Sequence, residues 1–225
     1  EPAAGVMHSL IYFPFLVLLA VTTVLEVNHQ VPEGVKFLHG DTYRAFTAVG
    51  DVAGVLFLVG VVWALLRRYG PRRFRPYRIR IKSRPEHAAV LLVFLAIGVT
   101  GFGAEAFRIA LVDASSRGAE TWSVVGHPLA SVVDRFGLLA DHAAGWHQVW
   151  WVAHVASFVA FLVLLPVTMI RHMFTSPLNM YLRDRDRPKG AMKPLPDLME
   201  TELESFGVST IEEFTWKQLL DLDSC

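Results

Sequence analysis

Four apolar runs, each long enough to cross a lipid bilayer, constrain this chain more than any other feature of its sequence. They cover residues 6–27, 45–66, 88–111 and 148–170. A spanning helix needs about 20 apolar residues, and only helices or closed barrels satisfy all their backbone hydrogen bonds in lipid. The runs lack the alternation of barrel strands. They therefore predict an all-α transmembrane helical bundle of four spanning helices rather than a soluble helical domain.

The basic residues of the chain predict how these helices are oriented. Nine of them fall between the second and third runs with no acid among them: Arg67, Arg68, Arg72, Arg73, Arg75, Arg78, Arg80, Lys82 and Arg84. The tail that follows the fourth run is basic as well. By the positive-inside rule, this loop and this tail face the cytoplasm of a multi-pass protein of the cell (inner) membrane. The basic loop predicts anionic lipids as partners rather than nucleic acid.

The chain divides into three predicted parts. Residues 1–182 form the transmembrane domain, and residues 183–208, which are charged and rich in proline, form a cytoplasmic linker. Residues 209–225 begin a cytoplasmic domain, because Ser209 and Glu212 form a capping-box pattern ahead of a short amphipathic helix. The chain starts without methionine and ends at its single cysteine, so we expect it to be a piece of a longer protein without an internal disulfide.

Two prolines mark the end of the fourth run. Pro166 predicts a kink inside the fourth helix, because it removes a backbone N–H. Pro177 predicts the end of the continuation of that helix.

His154 lies in the fourth run, and His172 follows 18 residues later, just after the end of that run. On one continuous α-helix that spacing is about five full turns, so both imidazoles would point the same way about 27 Å apart. This distance is close to the thickness of the hydrocarbon core, about 30 Å. A helix of this kind can hold two haems stacked across a membrane; two unrelated histidines near helix ends are the alternative.

The inner candidate site combines His172 with His8, which opens the first helix at a matching depth on the cytoplasmic side. Bis-histidine ligation leaves iron no open position and is typical of electron transfer. His87, at the start of the third helix, is the rival partner at the same depth.

The outer candidate site contains His154, and its second ligand is open. His147 precedes it by two turns on almost the same face of one helix, so these two cannot clasp one haem together. His29, at the end of the first helix, is the other possible partner. The sequence is compatible with one haem or with two, and one of His147 and His154 could instead serve a quinone.

Four charged residues fall in the spanning runs near the outer side: Glu26, Asp51, Glu105 and Arg108. Glu105 and Arg108 are spaced to satisfy each other along one helix. The functional alternative is that one of the three carboxylates carries protons to or from a quinone.

Several motifs of the chain resemble one known family. They are VMHSLIYF at residues 6–13, TGF at 100–102, WHQVWWVAH at 146–154, RHMFTSPLN at 171–179 and FTWK at 214–217. Together they resemble the cytochrome b membrane domain of the respiratory nitrate reductase gamma subunit. They are most similar to the version fused to a heterodisulfide-reductase-like iron-sulfur domain.

The resemblance implies a quinone-linked membrane anchor with b haem. His154 and His172 match the later histidine pair of the family, and His8 matches the first histidine of the earlier pair. The second histidine of that earlier pair would fall at Leu18, where this chain departs from the pattern. Cys225 stands where the family begins a ferredoxin-type motif for a [4Fe-4S] cluster.

These observations predict membrane electron transfer between a cytoplasmic iron-sulfur or flavoprotein partner and the quinone pool through bis-histidine b haem. The chain would be a membrane domain or subunit of a quinone-linked oxidoreductase, and not a complete enzyme by itself. The alternative is a non-redox membrane protein, such as a small transporter or a scaffold, whose histidines pack or bind a metal.

Overall fold

The computed structural model describes residues 2–74, 84–112, 117–137, 142–186, 197, 199, 208 and 210–224. Within these residues all regular structure is helical and no strand is present. The α-helices are α1 (Pro2–Gln30), α2 (Gly40–Tyr69), α3 (Pro85–Ala110), α4 (Gly126–Arg135), α5 (Ala143–Val167), α6 (His172–Tyr181) and α7 (Trp216–Asp223). Short 3-10 turns lie at Glu33–Val35, Arg72–Phe74, Arg117–Trp122, Met169–Arg171 and Ile211–Glu213.

The four predicted spanning helices are confirmed as α1, α2, α3 and α5, each long and apolar enough to cross a membrane. Much of their apolar surface is uncovered by protein: the exposed fraction of Phe13 is 62% and that of Val163 is 63%. A soluble protein rarely leaves such continuous apolar faces in water. Lipid is the environment that these faces fit.

Neighbouring helices of the bundle run antiparallel. Gly60 of α2 lies so close to α1 that an added Cβ would meet the backbone of Leu10 at 2.9 Å, and Val21 lies against Gly50, at the other end of the same contact. Glycines permit this close approach of helix backbones, as is common in membrane proteins.

A layer of four phenylalanines fills the middle of the bundle. Phe15, Phe57, Phe94 and Phe161 come one each from α1, α2, α3 and α5, and all four are buried. Their ring centroids lie 5.1–6.0 Å apart in five contacting pairs, the spacing at which aromatic rings attract each other. This phenylalanine layer separates the half of the bundle that holds the α1–α2 connection and α4, which we call the outer half, from the inner half.

Helix α4 packs on α3 at the outer end. Its buried residues are Gly126, Ala130 and Val133, whose spacing of three and four residues places them on one helix face. The small residues at the first two positions let α4 lie close to α3. The connection between the third and fourth spanning helices therefore covers the outer end of the bundle.

The chain divides into two compact units, residues 1–164 and 165–225. The predicted continuous helix through His172 is wrong, because α5 ends at Val167 and Thr168 is extended, with φ −123° and ψ 177°. Pro166 weakens the helix at this point, since it cannot donate the backbone hydrogen bond to residue 162. The alignment of His154 and His172 on one helix face is lost with that helix.

Two further helix boundaries differ from the sequence prediction. Helix α6 contains Pro177 and continues to Tyr181, so this proline does not end it. Helix α7 begins at Trp216, where the Thr215 hydroxyl accepts a hydrogen bond from the Gln218 backbone N–H. The predicted start near Ser209 is too early, because the better cap lies at Thr215; Ser209 itself lies outside the described residues.

Candidate functional site

His154 is the predicted site residue whose surroundings are best defined. It lies half-buried on α5, seven residues before Phe161, so it sits about 10 Å into the outer half. Its Nδ1 lies 3.1 Å from the carbonyl oxygen of Ile97 on α3. Because a carbonyl oxygen only accepts hydrogen bonds, Nδ1 carries the proton and Nε2 of the neutral ring carries the lone pair.

Thr100 adds a second restraint to the same imidazole. Its hydroxyl donates to the carbonyl of Ala96 at 2.6 Å, so its oxygen can accept from His154 Nδ1 at 3.1 Å. A backbone partner on one ring nitrogen fixes the tautomer and the ring orientation, and metal-bound histidines use this arrangement. His154 thus presents the lone pair of Nε2, the donor atom with which a neutral imidazole binds a metal.

Two glycines of α3 make room for the aromatic rings of α5. A Cβ at Gly101 would lie 3.3 Å from Cε1 of His154, and a Cβ at Gly103 would overlap the ring of Trp150. The close approach of α3 and α5 in the outer half therefore depends on the absence of side chains at these two positions.

His8 and His154 belong to two different sites. His8 lies seven residues before Phe15 on α1, and His154 lies seven residues before Phe161 on the antiparallel α5. They stand on opposite sides of the phenylalanine layer, about 21 Å apart along the bundle. One iron cannot bridge that distance. His8 is exposed, and its ring stacks on Tyr12 at 6.3 Å.

The two predicted outer partners of His154 lie further out than it does. His29 and His147 are each 14 residues from the phenylalanine of their helix, about 21 Å from the layer. On α1, the residue at the level of His154 is Thr22, seven residues after Phe15. In the described parts of α1, α2 and α3, no second histidine stands at the level of His154.

His87, the rival for the inner site, has a different arrangement. Its Nδ1 contacts a guanidinium nitrogen of Arg68 and lies 3.3 Å from the backbone N–H of Arg84. Both groups are donors, so Nδ1 accepts and the neutral ring carries its proton on Nε2, which faces Glu86 at 3.7 Å. This tautomer offers no lone pair on Nε2 for iron.

His172 lies in the second unit and shares the tautomer of His154. Its Nδ1 contacts the carbonyl oxygen of Met169, so the proton is again on Nδ1. The predicted pairing of His172 with His8 joins the two units and stays a prediction.

Carboxyl groups form a polar cluster at the outer end, where Asp51 and Glu120 are buried and Glu105 is half-buried. The exposed fraction of Asp51 is 3%, and its Oδ2 accepts from the backbone N–H groups of Val125 at 2.7 Å and Gly126 at 3.2 Å. The carboxyl group of Glu105 accepts a hydrogen bond from the Ser123 hydroxyl at 3.0 Å and lies against Gly126, whose backbone N–H is bonded to Asp51. Asp51 and Glu105 are therefore neighbours at the start of α4.

Arg108 pairs with Glu120 and not with Glu105, contrary to the helical spacing. Its two terminal nitrogens lie 3.0 and 3.1 Å from the two carboxylate oxygens of Glu120, and the Tyr43 hydroxyl donates to the same group at 3.0 Å. Burial alone raises the pKa of Glu120, but the hydrogen bonds and charge of Arg108 outweigh burial and hold this pKa below its ordinary value.

Sequence reasoning missed Tyr43, Glu120 and Ser123. Glu120 and Ser123 lie in a polar connection that the sequence marks as solvated, yet both are buried. The available signal was Arg108 itself, because a guanidinium near the end of a spanning helix requires an acidic partner.

No group of three or more His, Cys, Asp and Glu side chains that could hold a metal ion occurs among the described residues. Bis-histidine ligation needs only two. Cys225, the predicted cluster ligand, lies outside the described residues.

The fold and the site define a membrane-type helical bundle that contains a histidine with a fixed tautomer. Known proteins of similar sequence agree with this class. Over its whole length the chain is 33% identical to the EtfAB:quinone oxidoreductase of Syntrophomonas wolfei. It is 26% identical, again over its whole length, to the probable iron-sulfur-binding oxidoreductase FadF of Bacillus subtilis.

The chain spans only about a third of these relatives, 31% of the first and 30% of the second. No family model matches the chain, and no solved structure matches it. The similarity fits a membrane domain of an iron-sulfur oxidoreductase. The more specific likeness to the nitrate reductase gamma subunit stays a prediction.

Proposed function

We propose that this chain is the membrane domain of a quinone-linked oxidoreductase and carries electrons between an iron-sulfur module and the membrane quinone pool through b haem. The observation that carries most weight is the imidazole of His154, half-buried inside an apolar bundle with its proton fixed on Nδ1. The names of the two relatives, which specify quinone in one case and iron-sulfur binding in the other, support the same reaction class.

Three histidines are the proposed haem ligands of this chain. His154 serves an outer haem, while His8 and His172 serve an inner one. His147 is the further candidate at the outer end. When bound, b haem would supply reversible one-electron chemistry. The protein contributes the apolar surroundings, the fixed tautomers and the phenylalanine layer that separates the two levels.

Quinone chemistry also requires protons, because two protons accompany two electrons when a quinone is reduced to a quinol. The carboxyl pair Asp51–Glu105 is the proposed proton-holding group. Asp51 is buried and Glu105 is half-buried, and both lie in the same outer half as His154. Glu105 is four residues from Gly101, which contacts the His154 ring, so both groups share one face of α3.

The proposed orientation in the cell membrane places the loop between α2 and α3 in the cytoplasm, near anionic lipid headgroups. The tail leads to the iron-sulfur module, with Cys225 as a proposed ligand of a [4Fe-4S] cluster. A flavoprotein is a suitable further partner, because flavins exchange one or two electrons with such modules.

A spectrum and a haem count test this function. The full-length protein, purified from membranes, is expected to be red with a reduced-minus-oxidised spectrum of b type. Pyridine haemochrome per protein then gives one haem or two. His154→Ala is expected to remove one haem, and His39→Ala, which changes an exposed histidine of the outer connection, is the matched control.

A colourless but folded protein would remove the haem proposal and leave the non-redox membrane protein as the better interpretation. If His154→Ala keeps the full haem content while His147→Ala loses it, the outer ligand is His147 instead. Reduction of the haem by an added quinol distinguishes a quinone-linked protein from a haem protein with another partner.

A further inference from the structure

The second unit contains a contact between α6 and α7 that the proposed function does not yet explain. Asp223, at the end of α7, forms a salt bridge with Arg171, directly before α6. The Ser176 hydroxyl donates to the backbone carbonyl of Ser224 at 3.2 Å. These two contacts tie the last turn of α7 to the first half of α6.

A third contact fixes the other end of α7. The Lys217 ammonium group donates to the side-chain oxygen of Asn179, near the end of α6, and to Asp221 at 2.6 Å. Hydrogen bonds from Lys217 and Asn179 hold the pKa of Asp221 below its ordinary value. Contacts near both ends of α7 thus join it to α6.

The face of α7 that packs on α6 is polar. Lys217, Leu220, Asp223 and Ser224 are partly buried, whereas Trp216 and its apolar neighbours at positions 219 and 222 are exposed. Contacts between charges specify one register and weaken with salt. A face of this kind suits a docking joint that needs one fixed orientation.

The joint lies beside His172. Ser176 follows His172 by four residues on α6, so the two are neighbours on one helix face, about 6 Å apart along its axis. Ser224, bonded to Ser176, is the last described residue, and each further residue of the chain moves at most about 3.8 Å away.

We propose that the α6–α7 contact is the joint that holds the start of the iron-sulfur module against the helix carrying His172, so that electrons enter or leave the membrane domain at this helix. This inference rests on the proposed function. The step is a one-electron transfer, so no bond forms or breaks and no proton moves. Electron transfer slows steeply with distance, and the joint sets that distance.

Charge reversal in the full-length protein tests the joint. Arg171→Asp and Asp223→Arg each place like charges together, while the double variant restores an opposite pair. We expect each single variant to raise hydrogen exchange of the α7 amides about threefold or more, since exposed pairs of this kind are weak. Each should also slow haem reduction by the iron-sulfur module, and the double variant should recover both.

Two controls separate the joint from other effects. Lys36→Asp, which reverses a charge in the exposed Glu33–Lys36 pair of the outer connection, should change neither readout. Haem reduction by added quinol should stay the same in all variants, because it does not use the joint.

Faster exchange of α7 with unchanged electron transfer from the module would overturn the inference and leave the proposed function intact. Unchanged exchange in both single variants would show that these charges do not hold α7, and would overturn it as well. A wild-type protein without haem would overturn the function itself and the joint with it.

Discussion

Arg108 donates two hydrogen bonds, of 3.0 and 3.1 Å, to the two carboxylate oxygens of Glu120. Glu120 lies 12 residues further along the chain. The pair fastens the outer connection to the end of α3. The side chain of Glu120 is 8% exposed and that of Arg108 is 39% exposed. The Glu120 carboxylate therefore needs the ion pair more than Arg108 does, because it is the charge that is removed from water.

Removing the cation should cost more stability than removing the pair. Arg108→Met leaves a buried carboxylate without its charge partner, and we expect a loss of about 3 kcal/mol of unfolding free energy. The double variant Arg108→Met/Glu120→Gln removes both charges and should recover part of that loss. Thermal unfolding in detergent measures both; equal losses would show that the buried charge is not the cause.

The same pair predicts a dependence of stability on pH. The pKa of Glu120 is lower in the folded protein than its ordinary value of 4.5. Its contribution is therefore fully present above about pH 4.5 and is lost as pH falls through the lower folded value. Wild type should be more stable than Glu120→Gln at neutral pH, and the difference should shrink in acid. A constant difference down to about pH 3 would contradict this assignment.

Gly126 should not tolerate alanine. A Cβ at this position would lie 2.5 Å from the carboxyl carbon of Glu105, so α4 or the carboxyl pair must move. We expect a loss of about 1–3 kcal/mol, the usual cost of overpacking. Gly145→Ala, in α5, is the matched control because nothing lies within 4 Å of its added Cβ. Similar melting temperatures for the two variants would mean that α4 does not pack against Glu105 as described.

The spanning helices could be predicted from sequence because each apolar run determines its helix locally. Lipid leaves a long apolar segment no other structure that satisfies its backbone. The break at Thr168 could not be predicted in the same way. Pro166 indicates that one hydrogen bond is missing, but whether the helix bends or ends there depends on packing that is remote in sequence.

The polar part of the site illustrates the same limit. The spacing of Glu105 and Arg108 favours a pair along one helix, yet the fold gives each a partner from the outer connection. The partner that each side chain takes depends on how residues 117–126 pack on the bundle. By contrast, His154 was identifiable as a ligand candidate from sequence. A histidine within an apolar spanning helix is costly to bury, so it usually has a functional role.

The carboxyl pair should control proton transfer to quinone. Glu105→Gln keeps a carbonyl oxygen that can accept from Ser123, so the fold should persist while the titratable carboxyl group is lost. We expect quinol-dependent haem reduction to slow by about a hundredfold, a common cost of losing a titratable group that takes part in proton transfer.

Glu26→Gln is the matched control for this change, because Glu26 is an exposed carboxylate on α1 bonded to Gln30 at 2.6 Å. Stopped-flow haem reduction by quinol, in normal and heavy water, measures the effect. Wild type and Glu26→Gln should show the same rate, and Glu105→Gln and Asp51→Asn should both be slow. If both inner variants reduce haem at the wild-type rate while haem content is unchanged, the pair only anchors α4, through the Asp51 hydrogen bonds to Val125 and Gly126.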